Sequence, residues 1–117
     1  MPDSLEVSVY QEGEIGILQT DGYINNIGAE KIAEACDGLI QKGIKRFILN
    51  LEKSRIINSI GISILIEVIE KVKDLEGDVA FCCVTPTVAK TFKIMGLLKA
   101  SSIYDSQAQA VEAINSG

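Results

Sequence analysis

The sequence predicts an α/β fold, a mixed sheet of about four or five strands with about four helices and an N-terminal antiparallel hairpin. Three observations carry that prediction. Apolar residues alternate with period two at the start of the chain. They recur with helical spacing in later stretches, and short continuous apolar runs separate those stretches. Runs of the last kind belong to strands buried on both faces, as in a parallel sheet covered by helices.

Taken in order, Leu5, Val7 and Val9 alternate with Glu6, Ser8 and Tyr10, the pattern of a strand with one buried face. Gln11-Glu12-Gly13-Glu14 is a turn, and Ile15 and Ile17 resume the alternation, which makes the pair a hairpin. After Asp21-Gly22 the period changes. Ile32, Cys36, Leu39 and Ile40 share one helical face, with Glu30, Lys31, Glu34 and Lys42 outside it and Gly43 after the last turn. Phe47, Ile48, Leu49 and Leu51 form the first buried strand.

A second helix fits Ile60 to Leu75, and a second buried strand fits Val79 to Val84. Strand, helix and strand within about 40 residues make a βαβ unit with a right-handed crossover. Thr85 as N-cap and Pro86 at the first helical position open a third helix, with Val88, Phe92 and Met95 facing inward and Gly96 at its end. Ser101 to Tyr104 is a last short strand. Ser106 and Gln109 have capping-box spacing, and Ala110, Val111 and Ile114 give the final helix a face to bury. No linker, low-complexity stretch or internal repeat divides the chain, which reads as one domain over residues 1–117.

Composition narrows the function. A chain of 117 residues suits one core, and 47% hydrophobic with 23% charged residues is globular composition. Eleven basic against sixteen acidic side chains give a net charge of −5. Without a basic cluster, neither nucleic acid nor an anionic membrane is an expected partner. Histidine is absent, which removes Ser-His-Asp and Cys-His nucleophile systems and the commonest metal ligand. Cys36, Cys82 and Cys83 lack C-x-x-C spacing and lie among apolar residues, where thiols behave as core hydrophobes. No stretch reaches the 18 or so apolar residues needed to span a bilayer. The N-terminal Met1-Pro2-Asp3-Ser4 has no targeting character, so a reducing cytoplasmic setting is expected.

Catalytic signatures are missing. There is no phosphate-binding G-x-x-x-x-G-K-[ST] loop, no G-x-G-x-x-G after a strand and no G-x-S-x-G elbow. Glu67 and Glu70, with Lys71 and Lys73 around them, are a solvated helix face. An enzyme is not expected, nor a cofactor.

The informative stretch runs from Asn50 to Ile62, where a buried strand leads through a loop into a helix beginning Asn58-Ser59-Ile60-Gly61. Either Asn58 or Ser59 is the N-cap, and capping alone would account for the serine. The helix complicates that account. Ile62, Leu65, Ile66, Ile69 and Val72 make a complete core stripe, and Ile60, Ile64 and Val68 lie off it. An apolar patch bordered by an exposed serine suits protein recognition controlled by phosphorylation, since a phosphoserine adds a charge of about −1.5 to −2 that an apolar interface does not tolerate.

These residues resemble the STAS domain of bacterial anti-sigma-factor antagonists, in which a buried strand ending in D-L is followed by D-S-[SA]-G-[LIV]. Asn50-Leu51 and Asn58-Ser59-Ile60-Gly61-Ile62 take those places at the same spacing. Gly22-Tyr23-Ile24-Asn25 is similar to the family's G-x-[LI]-[DT], Val84-Thr85-Pro86 through Ile94-Met95-Gly96-Leu97 to its strand, cap and closing G-L, and Asp105 to Ala113 to its last helix. The resemblance implies a STAS-like α/β sandwich and a partner-switching function. The dephosphorylated protein would bind an anti-sigma factor that is also a serine kinase, phosphorylation at Ser59 would release it, and a PP2C-type phosphatase would reset it. It also implies a partner-binding surface of Asn25, Asn58, Ser59, Ile60, Gly61 and Ile64. ATP and metal would belong to the partner enzymes.

Three positions depart from the family pattern: Asn50 and Asn58 stand for aspartates, and Ile60 for a small residue. Ser54 and Ser63 are near enough to act as alternative acceptors. Two other functions fit the same fold, a non-switched STAS scaffold or binding subunit, and a small-ligand or lipid-binding domain.

Overall fold

Strands and helices alternate along the chain as β1 (Glu6–Glu12), β2 (Ile15–Asp21), α1 (Asn26–Ile40), β3 (Arg46–Lys53), α2 (Ser59–Asp74), β4 (Asp78–Cys82), α3 (Pro86–Met95), β5 (Ser102–Tyr104) and α4 (Gln107–Ser116). A 3-10 turn at Leu97–Lys99 follows α3. The computed structural model describes residues 5–116, so the N-terminal tetrapeptide read above lies outside it. The strands lie side by side in chain order. β1 and β2 are antiparallel, and β2 through β5 are parallel. The mixed sheet, its hairpin and its four helices are as the sequence predicts.

Each face of the sheet has its own apolar cluster, because successive side chains on a strand point to opposite faces. Leu18, Phe47, Leu49, Leu51, Val79 and Phe81 pack under α1, α2 and α3. Ile15, Ile17, Ile48, Ala80 and Cys82 pack under Ala110 and Ile114 of α4. The nearly continuous apolar run of β3, interrupted only by Asn50, follows directly, since it feeds both clusters. Phe81 and Phe92 meet at 5.0 Å between ring centroids and tie α3 to β4.

Several expectations need correction. The alternation Leu5, Val7, Val9 predicts a half-buried strand, yet β1 is exposed along almost its whole length, Val9 to 47%. The helical layer reaches this edge only at its start, where Leu5 packs against α1 beside Gly28 and Val7 is half-buried against the same core. The hairpin turn is narrower than expected, confined to Gly13-Glu14 with Gly13 at φ +61°. β2 is buried on both faces from Ile15 to Leu18 rather than alternating. β4 stops at Cys82 because Cys83 takes φ +63°, which turns the chain before Val84. Met95 is 41% exposed, since left-handed Gly96 swings the chain so that Leu97 fills the core instead. On α2, Val68 joins the core stripe and Ile66 is only half-buried.

Cys36 and Cys82 are buried, whereas Cys83 is half-buried. Burial, with Asp37 alongside, pushes the Cys36 thiol from 9.0 up to about 12. Burial, then the hydrogen bond and charge of Cys83 and the charge of Glu52, push Cys82 up to about 12. The native state therefore keeps protons that the unfolded chain releases above about pH 9. Stability from these groups is fully present below that pH and falls as pH rises towards about 12. Urea denaturation under reductant across this window checks the sign. The wild type should lose stability more steeply than Cys82→Ala, and equal slopes would contradict the assignment.

Candidate functional site

The site is built where the first turns of α1 and α2 meet at the end of the parallel strands. Asn58, not Ser59, is the N-cap of α2. Its backbone is extended (φ −95°, ψ 171°) and its side chain accepts a hydrogen bond from the Gly61 N–H at 2.7 Å. Relieved of capping, Ser59 is the first helical residue and is exposed. Only its carbonyl is used, accepting the Ser63 hydroxyl at 3.1 Å. Ile60 is 58% exposed. Gly61 is buried for a steric reason: a Cβ there would lie 2.7 Å from the Ile24 carbonyl oxygen and 3.2 Å from the capping oxygen of Asn58.

The same construction appears on α1. Asn25 is its N-cap (φ −98°, ψ −167°), and the side chain accepts from the Gly28 N–H at 2.9 Å. Gly28 is again buried, with Leu5 and the Tyr23 carbonyl 3.1 Å from where a Cβ would sit. Ile24 and Ile57 are paired by a parallel bridge. The N–H of Ile24 donates to Ile56, and that of Asn58 to the carbonyl of Ile24. The two helix starts are thus hydrogen-bonded to each other through the segments that precede them.

The expected site residues fall into groups. Asn25, Asn58, Ser59, Ile60 and Gly61 come together here, the two asparagines and the glycine as scaffolding and Ser59 and Ile60 as outward groups. Ile64 is half-buried against the main core, so most of it belongs to packing. Ser54 does not serve as an alternative acceptor. It is buried, with its hydroxyl 2.6 Å from that of Thr20. Asn50 is buried too, and its carboxamide is occupied by Gln107 at 3.0 Å and the Glu52 N–H at 3.0 Å.

Two exposed apolar side chains beside the site are not among the residues that the sequence pattern singles out, Ile56 (64%) and Ile27 (60%). The signal for Ile27 is a short repeat, contrary to the expectation of none: Ile24-Asn25-Asn26-Ile27-Gly28 against Ile57-Asn58-Ser59-Ile60-Gly61. Among the described residues no group of His, Cys, Asp and Glu is placed to hold a metal ion, and no helix is long and apolar enough to cross a membrane. Open grooves of about 430, 400 and 280 Å³ with mixed polar and apolar linings lie on the surface, a smaller one of about 160 Å³ lies beside Tyr23 and Ile56, and Ser59 lines none of them.

A five-stranded mixed sheet of this order, with an exposed serine just inside the Asn58-capped start of the helix after β3, defines a class of small α/β domain. The chain matches the STAS domain model over residues 6–110 and belongs to the STAS domain family. BtrV of Bordetella bronchiseptica, which bears a provisional name as an anti-sigma factor antagonist, is 26% identical over 92 residues, 79% of each chain. The crystal structure of an anti-sigma factor antagonist from Mycobacterium paratuberculosis superposes with a TM-score of 0.85 at 20% identity, covering 98% of this chain and 97% of that one. The antagonist SpoIIAA superposes in its unphosphorylated form with a TM-score of 0.74 at 18% identity, covering 95% and 96%. The phosphorylated form, from Bacillus, gives 0.73 at 17%, covering 93% and 99%.

Proposed function

We propose that this chain is a single STAS domain acting as an anti-sigma factor antagonist controlled by phosphorylation. In its dephosphorylated form it binds an anti-sigma factor that is also a serine kinase. That kinase modifies Ser59 and is released, and a PP2C-type phosphatase restores binding. The chain contributes no catalytic group of its own and is the substrate and ligand of its partners, in the cytoplasm. The observation that carries this reading is the placement of Ser59. Asn58 does the capping, so the hydroxyl is free, exposed and next to an exposed isoleucine. A phosphate there is tolerated by the positive end of α2 and not by a protein docked over Ile60. The relatives named as antagonists, one of them solved in phosphorylated and unphosphorylated forms, support it.

The test is to incubate the protein with the candidate kinase, ATP and Mg²⁺ and to map the product by mass spectrometry. One phosphate on the peptide containing Ser59, absent from Ser59→Ala, is the expected result. Phosphate on Ser63 instead, or none with the kinase encoded beside this chain, overturns the switch.

A second reading, the non-switched scaffold or binding subunit, is favoured by Asn50. Its side chain donates to Gln107 and accepts from the Glu52 N–H, makes no hydrogen bond to Ser59, and lacks the charge of the family's aspartate. The two readings part on whether charge at Ser59 matters to binding. The small-ligand or lipid reading needs an enclosed apolar pocket, whereas the grooves among the described residues are open, including the small one of about 160 Å³ beside Tyr23 and Ile56.

A further inference from the structure

The five-residue repeat makes a twin of the phosphorylation segment. Ile24 and Ile57 bridge each other, Asn25 and Asn58 cap their helices, and Gly28 and Gly61 sit buried at the third helical position. The remaining two places of each copy point outward. Asn26 and Ser59 hold the first helical position, both exposed. Ile27 and Ile60 hold the second, 60% and 58% exposed. Neither isoleucine is needed by the core, and an isolated helix start would cap equally well with a polar residue there. Two parallel helices packed side by side set their axes about 8–10 Å apart. The Ile24–Ile57 bridge fixes the two starts side by side, so the surface offers a pair of matched apolar knobs, each with a small polar residue beside it.

We propose that the partner docks over both helix starts, with Ile27 a second anchor equivalent to Ile60 and Asn26 the non-phosphorylatable counterpart of Ser59. This rests on the proposed antagonist function and commits to its anti-sigma factor as the occupant. The partner surface that fits carries two apolar recesses rather than one, with neutral hydrogen-bonding groups between them. Only one half of the twin carries a hydroxyl, so the kinase acts on one half while recognition uses both. A negative charge placed artificially on the other half must then act as phosphorylation does.

Asn26→Asp tests this well, because a carboxylate at the first helical position suits the positive end of α1 and leaves the fold intact or more stable. Binding of the anti-sigma factor to wild type, Asn26→Asp, Ile27→Ser, Ile60→Ser and Ser59→Asp would be measured by calorimetry, with each variant's thermal midpoint recorded. The expected result is a midpoint for Asn26→Asp at or above that of wild type, with binding at least about tenfold weaker. Ile27→Ser and Ile60→Ser should weaken binding by similar factors. If wild type binds and only the α2 variants weaken it, the twin is overturned while the antagonist reading stands. If wild type does not bind, the antagonist reading fails, and the twin falls with it.

Discussion

Ser59→Asp should weaken binding of the anti-sigma factor by about 2–5 kcal/mol, a loss of roughly thirty- to several-thousand-fold, because the new charge is buried without a partner in the interface. The fold should not suffer. The carboxylate sits at the first position of α2, where the aligned peptide dipoles favour an anion by about 0.3–1 kcal/mol. Asn58 continues to cap through Gly61, so the substitution removes no hydrogen bond that the native side chain makes. Ser59→Ala serves as the companion variant: it should bind like the wild type yet accept no phosphate. Titration calorimetry on the three proteins separates the candidate functions. Unchanged affinity in Ser59→Asp would favour the scaffold, and loss in both variants would make the hydroxyl itself a contact rather than a switch.

The parts of this molecule that were legible in the sequence are those governed by neighbours along the chain. The helix caps at Thr85 and Ser106, the stop at Gly96 and the doubly buried run of β3 each depend on a few adjacent residues, and each is where the pattern puts it. What the sequence left open depends on which element covers which. Val9 alternates as a core residue does, but the helical layer reaches this edge only at Leu5 and, in part, Val7, so Val9 stays exposed. Ser54 has the look of an accessible loop serine, and only the fold brings Thr20 within 2.6 Å to bury it. Choosing between Asn58 and Ser59 as cap required the extended backbone at residue 58. The repeat at residues 24 and 57 was present throughout, but five residues are too few to stand out until the Ile24–Ile57 bridge sets the copies side by side.

That bridge also explains why Gly61 tolerates nothing larger, and the glycines give a graded test of the construction. In an exposed helix interior, replacing Gly by Ala gains about 0.5–1 kcal/mol from reduced backbone freedom in the unfolded chain. Gly38→Ala in α1 should show that gain, since a Cβ there meets nothing within 4 Å. Gly28→Ala adds a contact at 3.1 Å to Leu5, a side chain with room to adjust, and to the Tyr23 carbonyl, which has less, so its effect should be a small net loss. Gly61→Ala drives a methyl to 2.7 Å from the Ile24 carbonyl oxygen, an atom fixed by its hydrogen bond from Asn58 N–H, and to 3.2 Å from the capping oxygen. Neither neighbour is a flexible side-chain tip. Relief requires α2 to move away from α1, breaking the bridge or the cap, so the net change should be a loss of about 1–3 kcal/mol despite the helix-propensity gain. For a domain of this size that lowers the thermal midpoint by very roughly 4–12 °C, with Gly28→Ala between it and Gly38→Ala. If Gly61→Ala were as stable as Gly38→Ala, the two helix starts would not be locked together, and the surface they jointly present would have no fixed spacing for a partner to read.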